Sequence, residues 1–179
     1  MQPMLLTLLD GTDVRVRPIS PEDKLLLASG LKLLSPETAF RRFLSPKTSF
    51  SAAELRYLTE VDQIDHVALV AVHAQWGGLI AVARSVRTGP DLAELAIVVG
   101  DPWQRLGLGR QLLDLVAERA NVSRFSGTML ATNRGAVKLM RGFGSHVDRD
   151  VIDGGVREIV VRSSVPLREP ARVVAASLR

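Results

Sequence analysis

Between Leu92 and Asn121 the chain passes from an apolar run, Leu92-Ala93-Glu94-Leu95-Ala96-Ile97-Val98-Val99, through Gly100-Asp101-Pro102-Trp103 into the loop Gln104-Arg105-Leu106-Gly107-Leu108-Gly109-Arg110. An amphipathic pattern follows, with Leu112, Leu113, Val116 and Ala117 on one face. The segment reads as a strand, a tight turn, a glycine loop and a helix from about Leu106 to Asn121. A further strand is expected over Gly127 to Ala131. A strand–helix–strand unit returns its second strand parallel to the first, so the sheet contains at least one parallel pair.

The loop is built to receive phosphate oxygens. Gly107 and Gly109 lack Cβ atoms, so the backbone can approach a bulky anion. The amides at a helix start have no intrahelical partner, and the helix dipole places about half a positive charge there. Gln104, Arg105 and Arg110 ring the loop with donors and charge. Two incidental glycines would be the plainer reading, yet each costs up to about 1 kcal/mol against Ala inside a helix. The pattern Gln-x-x-Gly-x-Gly at 104–109 is no P-loop, which would end in Gly-Lys-Ser/Thr where Arg110-Gln111 stands. It is no dinucleotide fingerprint either, because position 112 is Leu rather than Gly.

The rest of the chain supplies an antiparallel frame. Val14 to Arg17 alternates as a strand ended by Pro18. Ser20-Pro21-Glu22-Asp23 and Ser35-Pro36-Glu37-Thr38 start helices, and Ser51-Ala52-Ala53-Glu54 is a capping box for a third, through about Thr59. Strands are expected at His66 to Ala74, Leu79 to Arg87 and Leu92 to Val99, joined by short turns as an antiparallel meander. A helix over Arg134 to Arg141 and strands near His146 to Ile152 and Val156 to Ser163 complete the order. The fold class is α/β (α+β): a mixed, mostly antiparallel central sheet with helices on both faces, in one domain over 1–165 with a tail over 166–179.

The 179 residues include no cysteine, which excludes disulfides, thiolate metal sites and a cysteine acyl-enzyme. His66, His73 and His146 show no metal-ligand spacing, so no metal is expected. Net charge is +4, but the basic residues are dispersed and aromatics are 4% of the chain, too few to stack bases. An anionic cofactor or an acidic protein partner fits this surface better than nucleic acid. No run approaches the length of a membrane span, and Met1 to Leu9 has no basic leader region. A cytoplasmic protein is expected, monomer or homodimer.

Glu94 is the candidate general base. It interrupts an apolar strand ten residues before Gln104. Apolar neighbours would desolvate its carboxylate, raise its pKa and make it a better base near neutrality. Such a base matters for amine chemistry. A lysine is neutral in about one molecule in 2,500 at pH 7, a cost of roughly 4.6 kcal/mol, part of which a base recovers. The plainer alternative is a strand-edge glutamate facing solvent or an arginine.

The loop at 104–109, the strand before it and the order of elements resemble the GNAT superfamily of CoA-dependent N-acetyltransferases. Typical members read Gln-Gly-Arg-Gly-x-Gly at the loop; here Arg105-Leu106 shifts the basic side chain by one place. The resemblance implies that residues 104–110 bind the pyrophosphate of acetyl-CoA. It also implies that pantetheine lies as an extra strand against the main chain of Ile97, Val98 and Val99. The backbone of Ile97 or Val98 would then polarise the thioester carbonyl. It implies a contact from Asn133, itself a good N-cap residue, toward the CoA arm. Many members carry a tyrosine seven residues after that Asn as general acid. This chain has Met140, and CoA thiolate, with a pKa of about 8.5 by analogy with cysteine, leaves well enough for water to serve.

Further segments are similar to the bacterial protein lysine acetyltransferases that modify acyl-CoA synthetases. They are Arg15 to Asp23, Leu34 to Thr38 with Arg41-Arg42-Phe43, Asp65 to Val72, and Ala93-Glu94-Leu95-Ala96, whose Glu that branch uses as base. Such enzymes often carry a synthetase-like or cyclic-nucleotide-binding domain, for which this length leaves no room. The expected activity is direct acetyl transfer from acetyl-CoA to an amine, with a protein lysine as acceptor and Arg41, Arg42 and Lys47 docking an acidic surface. The alternatives are a small-molecule amine, for which only Glu60, Asp62 and Asp65 offer acceptor-side carboxylates, and a non-catalytic acyl-CoA-binding module.

Overall fold

A computed structural model describes residues 2–167; the expected tail lies outside the described residues from 168 onward. The strands are β1 (Met4–Thr7), β2 (Asp13–Pro18), β3 (His66–His73), β4 (Leu79–Gly89), β5 (Leu92–Val99), β6 (Arg124–Leu130), β7 (Gly144–Asp153) and β8 (Val156–Ser163). The helices are α1 (Lys24–Leu33), α2 (Pro36–Phe43), α3 (Ala52–Thr59), α4 (Leu108–Ala120) and α5 (Arg134–Phe143). The strands form one sheet in the order β1-β2-β3-β4-β5-β6-β8-β7. Among the described residues only β5 and β6 run parallel; the neighbouring pairs around them are antiparallel. No described helix is long and apolar enough to cross a membrane.

Helix starts follow their caps. Ser35 Oγ accepts from Thr38 N–H at 3.1 Å. At α3 Ser51 and Glu54 close a reciprocal box, at 2.7 and 3.2 Å. At Pro21–Asp23 only a 3₁₀ turn forms before α1, and the Asp23 carboxylate is gripped by the Arg17 guanidinium at 2.7 and 2.6 Å.

Two apolar layers clasp the sheet. On one face Leu112, Leu113, Val116 and Ala117 of α4 and Phe143 of α5 meet Ala93, Leu95 and Phe125. On the other, Leu27 of α1 and Leu55 and Leu58 of α3 cover Ala68, Val70, Val82 and Val98. Successive strand residues face opposite sides. Ile97 and Val99 therefore pack with α4, while Glu94, Ala96 and Val98 face α1–α3.

Several boundaries differ from the sequence reading. β1 was not expected; it is short, mostly exposed and gains regularity only by pairing with β2. Helix α4 begins at Leu108 rather than Leu106, because Arg105 and Gly107 both adopt positive φ, 65° and 87°, and hold the loop out of the helix. β6 begins at Arg124, where pairing with both β5 and β8 starts.

Candidate active site

β5 and β6 pair over three positions only: Leu92 with Arg124, Ala93 with Phe125 and Glu94 with Ser126. Beyond Glu94 the strands part. β5 continues against β4 alone, from Leu95 opposite Ser85 to Val99 opposite Ala81, and β6 continues against β8 as far as Leu130. Residues 95–99 thus keep one main-chain edge without a partner strand, bordering a wedge inside the sheet, with Val99 O alone taken by a side chain, Gln104. An extended, amide-containing arm fits such an edge, because it can satisfy the unpaired N–H and C=O groups.

The glycine loop stands at the exit of β5. Gly107 is the N-cap of α4 with φ 87°, a conformation that favours glycine. Gly109 has no such need. A Cβ there would make ordinary contacts, 3.4 Å from Leu139 Cδ2 and 3.8 Å from Ile97 Cδ1. Packing within the protein does not demand glycine at 109. The unpaired N–H groups of the first turn are what an anion would meet there.

The polar side chains of the loop divide by role. Arg105 is exposed, and no described residue forms an ion pair with it. Gln104 Nε2 instead donates to Val99 O at 3.0 Å and Thr38 Oγ1 at 3.3 Å, so it braces the loop. Arg110 departs furthest from its expected place beside an anion. It donates to Asp114 at 3.0 and 2.9 Å, to Gly142 O and to Ser164 Oγ at 3.3 Å. Its charge ties α4 to the end of α5, which leaves its backbone, not its guanidinium, beside the loop. Leu106 contributes its carbonyl to Leu9 N–H at 3.4 Å, and the Leu108 side chain is core. Asn133 caps α5, Oδ1 accepting from Ala136 N–H at 3.1 Å. Met140 is buried and lies against Gly127, with no acidic proton to offer.

A second polar network joins the loop to α2. The Asp101 carboxylate accepts from Ser35 N–H and Ser35 Oγ, both at 2.9 Å, and from Thr38 Oγ1 at 2.6 Å. The turn that launches the glycine loop therefore also caps the helix across the cleft.

Glu94 is exposed rather than desolvated, which corrects the sequence expectation. The wedge opens at this residue, so its side chain meets a cleft instead of core. Across the cleft stands Arg42 of α2, partly buried and within electrostatic range of Glu94 and Tyr57. Burial pushes the Arg42 guanidinium below its ordinary range, against the pull of Glu94 and then Tyr57. Arg84 of β4 is 5% exposed, donates to Leu58 O at 3.2 Å and lies 3.1 Å from His66 Nε2. Burial, and next the charge of Arg42, bring Arg84 down to about 10. The Tyr57 and His66 rings lie 5.2 Å apart. Sequence reading missed the cluster of Arg84, Tyr57 and His66 that gathers beside Arg42, the residue within range of Glu94. A charge inside an apolar strand flagged Glu94, and the same signal was present at Arg84.

Burial first, and then the Arg84 charge, hold His66 down to about 4 from its usual 6.5. Between those values the unfolded chain binds the proton and the folded one does not. His66 therefore contributes stability that is complete above about pH 6.5 and is lost as pH falls toward 4. In urea unfolding, His66→Gln should flatten the decline in midpoint across that window; an unchanged slope would remove His66 as its source.

Comparison with known proteins gives consistent matches. The acetyltransferase (GNAT) family model matches residues 36–144. Acetyltransferase Pat of Mycolicibacterium smegmatis is 37% identical over 135 residues, 73% of this chain and 40% of that protein. The chain thus spans less than half the length of that relative. Acetyltransferase PA5475 of Pseudomonas aeruginosa is 30% identical over 151 residues, 80% of this chain and 81% of that one. The crystal structure of the GNAT domain of S. lividans PAT superposes with a TM-score of 0.80 at 30% identity, over 89% of this chain and 96% of that chain.

Proposed function

The chain belongs to the GNAT family of acetyltransferases, an acyltransferase using acetyl-CoA, and we propose that its acceptor is a lysine on a folded protein, an acyl-CoA synthetase being the first to test. The observation that carries the cofactor half of this reading is the parting of β5 from β6 at Glu94, next to a helix start whose Gly109 has no internal reason to be glycine. In this reading the main chain of residues 97–99 holds the pantetheine arm. The N–H groups around Gly107, Leu108 and Gly109 hold pyrophosphate, assisted by Arg105 and the backbone at Leu106 and Arg110. Asn133 faces the arm from the start of α5. Glu94 accepts the proton that the amine must lose, directly or through water, and the Ile97 N–H stabilises charge on the carbonyl oxygen, the Val98 N–H being turned to Val82 of β4. With Met140 buried, water protonates the departing thiolate.

The protein acceptor is supported by the likeness of residues 15–23, 34–43 and 65–72 to lysine acetyltransferases, and by the fate of the carboxylates nominated for a small amine. Glu60 pairs with Lys24 at 2.5 Å, and Asp65 with Arg87 at 2.7 Å. Asp62 accepts from the N–H groups of Ile64, Asp65 and His66. Each is thus already engaged by a group of the protein itself.

Incubation with labelled acetyl-CoA and a panel of synthetases and small amines tests the reading. Faster labelling of small amines than of any synthetase rejects the protein acceptor. No labelling of anything, with acetyl-CoA still bound, supports a binding module instead. Docking has its own variant. Arg41 is exposed and pairs with Glu37 at 2.5 Å, whereas Arg42 turns inward, away from any docking face. Arg41→Glu should raise KM for the protein a few-fold and leave acetyl-CoA affinity alone, and the wild-type rate at low substrate should fall above about 0.15 M salt. An unchanged KM would remove α2 from the docking surface.

A further inference from the structure

A cavity of about 210 Å³ lies between the sheet and α1–α2, bordered by Leu31, Leu34, Phe43, Phe50, Val82 and Val98. Gly100 and Trp103, at the exit of β5, also border it. None of its lining side chains carries a charge or a hydroxyl. The space is half open, its rim including the exposed Leu33 and Pro102. A purely apolar space is a poor home for water, and one of about 150 Å³ already admits benzene. Val98 connects this space to the wedge. The main chain of its neighbour Ile97 belongs to the edge left free where β5 leaves β6, while Val98 itself pairs with Val82 of β4 and its side chain, on the α1–α3 face, lines the cavity. Glu94 shares that face four residues back, so one face of β5 presents a carboxylate at one end and apolar space at the other.

We propose that this cavity is an acyl-chain site, and that the protein takes straight saturated acyl groups of about four carbons from CoA thioesters as well as acetyl. The proposal rests on the acyl-CoA reading of the wedge. A thioester carbonyl held at the main chain of Ile97 has the cavity, lined by the next side chain Val98, as the adjoining apolar space, while the polar end of the cleft remains for the amine. The transfer balances as it does for acetyl. The amine nitrogen bonds to the acyl carbon, the carbon–sulfur bond breaks, CoA leaves as thiolate, and the proton lost by the amine passes through Glu94 to solvent or to that thiolate.

Calorimetry with acetyl-CoA and butyryl-CoA on the whole chain tests it, together with kcat/KM for both on one common amine. Each buried methylene strengthens binding about fourfold, so butyryl-CoA should bind roughly fifteenfold more tightly than acetyl-CoA. Val82→Phe or Leu34→Trp, each filling the cavity, should bring that ratio to about one and leave acetyl-CoA affinity within a few-fold. Leu34 is only half-buried, so its variant tolerates added volume if Val82→Phe fails to fold. Wild-type butyryl-CoA binding no tighter than acetyl-CoA overturns the acyl-chain site, as does an unchanged ratio in either folded variant. Failure to bind either thioester overturns the acyl-CoA reading itself, a separable outcome.

Discussion

Gly107→Asp will weaken CoA binding by at least about a hundredfold, whereas Gly107→Asn will weaken it by less than about tenfold. Both variants force a side chain into a backbone held at φ 87°, and Asn and Asp tolerate that region better than other residues at a cost of about 1 kcal/mol. The strain is therefore common to both, and the difference isolates charge. A carboxylate about 4 Å from a phosphate oxygen is repelled by about 4 kcal/mol at an effective dielectric of 20, and it also competes for the free N–H groups of the first helical turn. Calorimetry on folded variants reads the difference. Equal affinities for the Asn and Asp forms would move the pyrophosphate away from this loop.

Glu94→Gln will cut turnover by about 10²–10⁴ with acetyl-CoA affinity changed by no more than a few-fold. The deficit will shrink at high pH, where the amine deprotonates unaided. Arg42 refines the experiment. Its guanidinium stands within electrostatic range of the carboxylate, so Arg42→Gln should slow the enzyme about tenfold when Glu94 is present and hardly at all in the Glu94→Gln background. That non-additivity is the signature of two groups acting as one. A purely architectural Arg42 would cost the same in both backgrounds. Wild-type turnover in Glu94→Gln at neutral pH would assign the proton to another group.

Much of this arrangement is written in local sequence. The caps at Ser35 and Ser51 need only neighbours three residues away, and both form. The glycine loop and α4 follow from chain order, and only the positive φ at Arg105 shifts the helix start. The parting of β5 and β6 is different in kind. It concerns which strand a backbone stops pairing with, and side-chain type does not report it. That is why Glu94, read as a carboxylate among apolar neighbours, turns out to face an open cleft. Arg110 was misplaced for a more avoidable reason: Asp114 stands one helical turn on, the spacing at which such pairs form. The grouping of Arg42, Tyr57, His66 and Arg84 draws on four elements brought together only by the complete fold.

The free edge of residues 95–99 has a consequence for handling the protein. It is an edge strand in the middle of a sheet, made of Leu95, Ala96, Ile97, Val98 and Val99 with no charge or proline to blunt it. Unpaired edges of this composition invite other chains to add on. A ligand lying along it would act as a removable strand that closes the sheet. At a hundred times its dissociation constant, such a ligand adds about 2.7 kcal/mol to the folded state. The empty protein would then be the form most exposed to self-association, and shelf life, melting temperature and solubility would all become functions of how much of that ligand is in the tube.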